Sequence, residues 1–142
     1  MNDPHNLERF VDAQSPIYEQ ACSELRNGRK RSHWMWFIFP QLRGLGFSHM
    51  ATAFGISSRQ EAEDYLKHSV LGPRLRECTR LVNQVEGRSI PDILGSPDDL
   101  KFRSSMSLFA LVAPDDPVFK DALEKYFGGK PDPRTAELLE SM

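Results

Sequence analysis

Five prolines follow residues that can begin an α-helix, and their placement constrains the fold more than any other feature of the chain. They stand in the pairs Ser15-Pro16, Gly72-Pro73, Ser96-Pro97, Asp116-Pro117 and Asp132-Pro133. Proline fits the first helical position, because its missing N–H has no intrahelical partner there and its φ angle is already helical. A preceding serine or aspartate can accept hydrogen bonds from the free N–H groups of the first turn. We therefore predict five helix starts, a number that is hard to reconcile with a sheet-based fold.

Glycines and apolar spacing support the same helices. Gly28, Gly87 and Gly128-Gly129 each follow a helical pattern, where a left-handed residue can end a helix. Asn6 and Ser58 are the predicted N-caps of two further helices, the second in a capping box with Glu61. One stripe of apolar residues recurs at spacings of three and four, formed by Leu75, Cys78, Leu81, Val82 and Val85.

The segment that follows Arg103 is apolar on more than one side, which predicts a helix near the centre of the domain. The sequence contains no alternating strand pair and no Asn-Gly or Asp-Gly hairpin turn. We predict an all-α fold, a single multihelical domain over residues 1–142 packed around a buried central helix. Five large side chains are predicted to share its core: Trp34, Phe37, Ile38, Met106 and Phe109.

Composition excludes several classes of partner. The formal net charge of −2 gives no general attraction to nucleic acid or to anionic membranes. The longest apolar run, residues 34–39, is far shorter than the ~20 residues that a membrane span needs. The N-terminus has neither the basic nor the apolar region of a signal peptide. We expect a cytoplasmic protein that binds no nucleic acid and no membrane, as a monomer or a weak homo-oligomer.

Histidines and cysteines do not indicate a metal site. His5, His33, His49 and His68 form no pair at a spacing of four, and Cys22 and Cys78 form no CxxC motif. We predict no bound metal and no cofactor, and we interpret both cysteines as reduced, half-buried thiols.

The segment from His33 to Gln41 holds both tryptophans of the chain, at positions 34 and 36. One interpretation is a short buried helix at the centre of the core, because aromatic side chains supply much of the core area. The other is a pocket wall, in which the flanking polar residues His33 and Gln41 meet a ligand beside the aromatic rings. The sequence leaves both interpretations open.

A basic run, residues 26–31, precedes this segment and leads directly into Ser32, a good N-cap residue. Such runs are commonly solvated surface, but here the N–H groups of a helix start and the cations could converge on one anion. Arg43 follows the aromatic helix. Gly44 to Phe47 lacks the features of a nucleotide loop, and only a backbone nest remains possible there, with His49 two residues on.

Lys101, Arg103 and Ser104 stand near the start of the predicted central helix. Serine in a helix can simply allow close packing. Alternatively, Lys101 and Ser104 are three residues apart and so share one helix face, from which they could reach a common ligand.

Several of these segments resemble a bacterial family of uncharacterised domains typified by a mycobacterial protein with an all-helical fold. The resemblance lies in five segments that are spread over nearly the whole chain: His33–Gln41, Glu61-Ala62 with Tyr65-Leu66, Leu71–Leu75, Lys101–Met106 and Leu108-Phe109. It implies a multihelical fold around a buried helix. It implies no reaction and no catalytic residue.

Three hypotheses of function follow. The first is a binding module for a small anionic ligand, such as a nucleotide derivative, in a cleft between the aromatic and central helices. The second is an enzyme that acts on such a ligand with His33 or His49 as general acid or base. The third is a protein-interaction module with an exposed apolar face. The predicted ligand-binding residues are His33, Trp36, Gln41, Arg43, His49, Lys101, Arg103 and Ser104.

Overall fold

The computed structural model describes residues 3–142 and confirms the all-α prediction. Those residues contain no β-strand, only one isolated parallel bridge between Leu42 and Ile56. The helices are α1 Glu8–Gln14, α2 Tyr18–Arg26, α3 Met35–Ile38, α4 His49–Ala53, α5 Arg59–Lys67, α6 Leu71–Asn83, α7 Ile90–Leu94, α8 Asp98–Val112, α9 Pro117–Phe127 and α10 Pro133–Glu140.

Helix α8 is the predicted central helix. It packs against α5, α7, α9 and α10, and every residue from Ser104 to Phe109 is buried. A helix with neighbours on several sides cannot be amphipathic, which explains why its apolar residues cover more than one face. The helix therefore joins the other elements into one hydrophobic core.

The aromatic residues of this core contact one another along the chain of helices. The ring of Phe109 lies 5.6 Å from the rings of both Tyr65 and Phe119, and the rings of Phe39 and Phe102 meet edge to face at 5.0 Å. All five predicted core residues are at most 9% exposed and belong to one cluster, which confirms that prediction: Trp34, Phe37, Ile38, Met106 and Phe109.

Two of the five proline-marked helix starts are correct to the residue. Helices α9 and α10 begin at Pro117 and Pro133, and the side chain of Asp132 accepts a hydrogen bond from the N–H of Thr135. Near Ser96-Pro97 the helix starts one residue late, at Asp98.

At the other two pairs the residue before the proline does not cap the helix. The hydroxyl of Ser15 donates to the carbonyl of Val11, so it ends α1 instead of beginning α2. Before Gly72-Pro73, the N–H groups of Val70 and Leu71 donate to Nδ1 of His68. The histidine thus caps α6, which begins at Leu71, two residues before the proline.

The predicted cap at Asn6 is wrong. Asn6 adopts a positive φ of 50°, and the carboxylate of Asp3 accepts hydrogen bonds from the N–H groups of Leu7 and Glu8 instead. Asp3, five residues before the first residue of α1, can reach those groups because the intervening turn brings the chain back.

The cap at Ser58 is correct, but the capping box is not formed. The hydroxyl of Ser58 accepts from the N–H of Glu61 at 3.1 Å. The carboxylate of Glu61 bonds Ser57 and forms an ion pair with Arg9 at 2.8 Å, so a tertiary contact replaces the reciprocal bond to Ser58.

Candidate functional site

A groove lies between the end of the aromatic segment, the loop before α4, the start of α8 and the start of α10. Its volume of about 420 Å³ falls within the range of small-molecule pockets. Apolar and polar side chains both line it: Trp36, Gln41, Leu45, Gly46, Phe47, Ser48, Ala51, Pro97, Leu100, Lys101, Ser104, Asp132 and Arg134. We refer to this set of residues as the groove.

Four of the eight predicted ligand-binding residues line the groove: Trp36, Gln41, Lys101 and Ser104. The Nζ atom of Lys101 lies 4.7 Å from the centre of the Trp36 ring. It is also 3.6 Å from a carboxylate oxygen of Asp98, too long for a strong hydrogen bond. Lys101 and Ser104 share a helix face here, as their spacing predicts.

The bridge between Leu42 and Ile56 positions Gln41. The N–H of Ile56 donates to the carbonyl of Gln41, and the N–H of Arg43 donates to the carbonyl of Ile56, both at 2.9 Å. Gly55 permits this approach, because a Cβ atom there would lie 2.7 Å from the Cβ of Arg43. Leu42 is buried by the same pairing, while its neighbours on either side are more exposed.

Arg134 is the groove residue that the sequence analysis missed. It is exposed, lies in the first turn of α10, and has no hydrogen-bond or ion-pair partner within residues 3–142. The helix dipole disfavours a cation in a first turn, so the position gains nothing for the helix. Its neighbour Asp132 is occupied structurally, since one carboxylate oxygen accepts from the Thr135 hydroxyl at 2.6 Å and from Ser104 at 3.4 Å.

The indole N–H of Trp36 is buried and has no hydrogen-bond partner among the described residues. Most buried polar groups are hydrogen-bonded, so such an atom requires an explanation. Trp36 also lines a narrow cavity of about 10 Å³ beside the groove, roughly the space of one water molecule. Gln41 and Lys101 line both hollows.

The structure does not bring the other four predicted residues into the groove. His33 and His49 are exposed and do not line it. The guanidinium of Arg43 donates to the carbonyl of Thr52, and the residue lines a separate hollow. Arg43 lies outside because it directly follows a buried residue in an extended segment, where successive side chains point to opposite sides.

The side chain of Arg103 bonds the loop before α10 and does not line the groove. Its guanidinium donates to the carbonyls of Lys130 and Pro131, at 3.1 and 3.2 Å, and lies 5.8 Å from the centre of the Phe127 ring. Two residues after Lys101 on an α-helix, Arg103 points to a different face. Arg103 thus fastens the loop before α10 to α8.

The anion predicted to sit before the aromatic helix is supplied by the chain itself. The carboxylate of Glu24 accepts hydrogen bonds from the N–H groups of Arg31 and Ser32, at 2.8 and 3.0 Å, and from the Ser32 hydroxyl at 2.6 Å. The indole N–H of Trp34 and the amide of Gln20 donate to it as well. Ser32 is therefore not an N-cap.

Burial alone would raise the pKa of Glu24, but hydrogen bonds from Ser32, Arg31, Trp34 and Gln20 outweigh it and lower that pKa to about 2. Glu24 is only 7% exposed, and its carboxylate remains charged at neutral pH. The backbone that was predicted to bind a foreign anion is therefore already satisfied by Glu24.

A second hollow near the N-terminus is larger, about 720 Å³, but suits an anion less well. Asp3, Glu8 and Asp64 line it together with His5, Lys67 and His68. Several of these groups already have partners: Asp3 caps α1, His68 caps α6, and His5 lies 3.1 Å from Asp64.

Within residues 3–142, no group of three or more histidines, cysteines or carboxylates could hold a metal ion. In the same part of the chain, every helix is too short or too polar to cross a membrane.

Comparison with known proteins places the chain beside uncharacterised relatives. The family described as "Protein of unknown function (DUF1810)" matches residues 4–139. The crystal structure of the conserved hypothetical protein Rv1873 from Mycobacterium tuberculosis is 59% identical, with a TM-score of 0.96 over 97% of this chain and 99% of that one. No curated protein matches. These findings confirm the resemblance and the fold.

Proposed function

The chain belongs to the family described as "Protein of unknown function (DUF1810)", and from this premise we propose that it is a binding module for a small anionic ligand, which occupies the groove. One observation carries the proposal: Lys101 and Arg134 line one groove of mixed apolar and polar character, Arg134 has no ion-pair partner within residues 3–142, and the contact of Lys101 with Asp98 is long, at 3.6 Å. The single carboxylate of the lining, Asp132, is already bonded to Thr135 and Ser104. The lining contains two cations and one carboxylate, so a phosphate or carboxylate would meet a net positive charge among the lining residues.

The groove supports binding more than histidine chemistry. None of the histidines described in the structure lines it, so a general acid or base would have to be a different residue. The protein-interaction alternative has one observation in its favour, since Phe47 and Leu100 are 87% and 58% exposed in this groove. A cytoplasmic location remains our proposal, supported by the free cysteines Cys22 and Cys78, which are typical of reducing compartments.

The first test removes each groove cation. Lys101→Met keeps the aliphatic stem over Trp36 but deletes the charge, and Arg134→Gln keeps a polar side chain. Because a hydrogen bond to a charged group contributes about 1.5–3 kcal/mol, each change should weaken binding of ribose 5-phosphate by roughly tenfold or more in calorimetric titration. Unfolding temperatures without ligand should change little.

The matched control is Lys120→Met on α9, since Lys120 is exposed and does not line the groove. It should bind ribose 5-phosphate as the parent does. Equal losses in all three variants would reveal general charge attraction instead of a site. If neither ribose 5-phosphate nor a nucleotide binds the parent, and the chain instead self-associates, the groove is an interaction surface and our proposal is wrong.

A further inference from the structure

Phe47, in the loop before α4, has a side chain that is almost unburied by the rest of the protein. Phe47 is 87% exposed, the largest exposure among the four big apolar side chains that face water in residues 3–142. The second most exposed, Leu100, lines the same groove. Scattered exposed apolar residues need no explanation, but two in one concave site point to something that covers them.

The loop is built to hold Phe47 at the groove. Gly44 has a φ of +104°, a conformation that other residues rarely adopt. Gly46 approaches α4 closely, because a Cβ atom there would lie 3.1 Å from the Cβ of Ala51. Both glycines let the chain turn tightly and leave the Phe47 ring at the rim, beside Leu45.

A polar side chain of the same groove matches the edge of a heteroaromatic ring. The amide of Gln41 offers both a donor and an acceptor. The indole N–H of Trp36 has no partner within residues 3–142, but it is itself buried, so Gln41 supplies the polar contact. Sugar phosphates lack a flat apolar face, so they would leave Phe47 and Leu100 in water.

We infer that the ligand of the groove is an aromatic anion with the chemistry of a mononucleotide: a flat heteroaromatic ring that packs against Phe47, joined to a phosphate that binds Lys101 and Arg134. This inference rests on the proposed function and narrows its ligand class. Stacking of a base on an aromatic side chain is worth about tenfold or more in affinity. The ring should therefore contribute as much to binding as either cation.

The test compares two probes that differ only in the base, adenosine 5′-monophosphate and ribose 5-phosphate, by calorimetric titration. The parent should bind the nucleotide at least about tenfold more tightly. Phe47→Ala should bring this ratio close to one while leaving the affinity for ribose 5-phosphate unchanged. Leu111→Ala is the matched control, since Leu111 is an exposed apolar residue of α8 outside the groove, and it should preserve the ratio.

The outcomes separate the two proposals. Equal affinity of the parent for both probes overturns the aromatic inference and leaves the anion site standing. A preference for the nucleotide that survives Phe47→Ala also overturns it, because the base then binds elsewhere. If neither probe binds, both proposals are wrong. Phe47 is almost fully exposed, so an unchanged melting curve for its variant is expected and verifies that the fold is intact.

Discussion

Replacing Trp34 with alanine should lower the free energy of unfolding by about 3–5 kcal/mol, as expected for a large aromatic residue in a core. The ring of Trp34 is fully buried, lies 6.2 Å from the Phe39 ring, and has the Nζ of Lys30 5.1 Å from its centre. Its removal leaves a cavity and takes one donor from Glu24. Urea unfolding followed by circular dichroism measures the loss.

Trp34→Phe is the companion variant, because it keeps an aromatic ring but removes the indole N–H. It should lose less than the alanine variant, and the difference separates ring burial from the hydrogen bond to Glu24. If Trp34→Ala unfolds at the same urea concentration as the parent, the ring contributes nothing to the core and the packing described above is incorrect.

Glu24→Gln should destabilise the fold by about 3–4 kcal/mol at neutral pH. The carboxylate accepts five hydrogen bonds. Oε1 accepts three of them, from the N–H groups of Arg31, Ser32 and the Trp34 indole, and Oε2 accepts the other two. Glutamine keeps one acceptor oxygen, but its NH₂ group would face Gln20, which is also a donor. A buried donor without an acceptor costs free energy. The magnitude follows from the fall in the Glu24 pKa from 4.5 to about 2, at about 1.4 kcal/mol per pH unit.

The stability that the Glu24 carboxylate contributes should fall as the pH is lowered. The folded pKa of Glu24 lies below the unfolded value of 4.5, so its contribution is complete above about pH 4.5 and is lost as the pH falls toward about 2. The parent should therefore lose stability over that interval more steeply than Glu24→Gln. Glu19→Gln, an exposed glutamate on the same helix, is the control and should follow the parent. Identical acid profiles for the parent and Glu24→Gln would refute the role of this carboxylate.

The helix start at Pro133 was predictable because the hydrogen bonds of its cap, from Thr135 to Asp132, are local. The start at Pro117 was predicted correctly although Asp116 makes no cap hydrogen bond and pairs with Arg76 instead. Near Gly72 the prediction misplaced the helix start by two residues, since a histidine side chain does the capping and histidine is not a usual N-cap residue. The central position of α8 was predictable because apolar residues occur on more than one side of the helix.

The groove was predictable only in part. Lys101 and Ser104 were found together because helix geometry fixes which residues share a face. Ser32 was misinterpreted because its partner, Glu24, belongs to a different helix, and no local pattern reports that contact. Arg134 was missed because α10 reaches the groove only through tertiary packing, although Asp132-Pro133 had already placed it in a first turn.

The burial of α8 also determines how a bound ligand would change amide hydrogen exchange in the protein. Backbone amides from Ser104 to Phe109 are enclosed on several sides, so they exchange with deuterium only when the whole domain opens. Any ligand of the folded state should slow the exchange of these amides, because it stabilises the domain against global opening. A molecule held by Lys101 should in addition slow local exchange at the starts of α8 and α10, which line the groove. A molecule in the hollow near the N-terminus should instead slow local exchange in α1 and α5, whose ends form that hollow. Deuterium uptake thus distinguishes the two places by which helix ends gain protection.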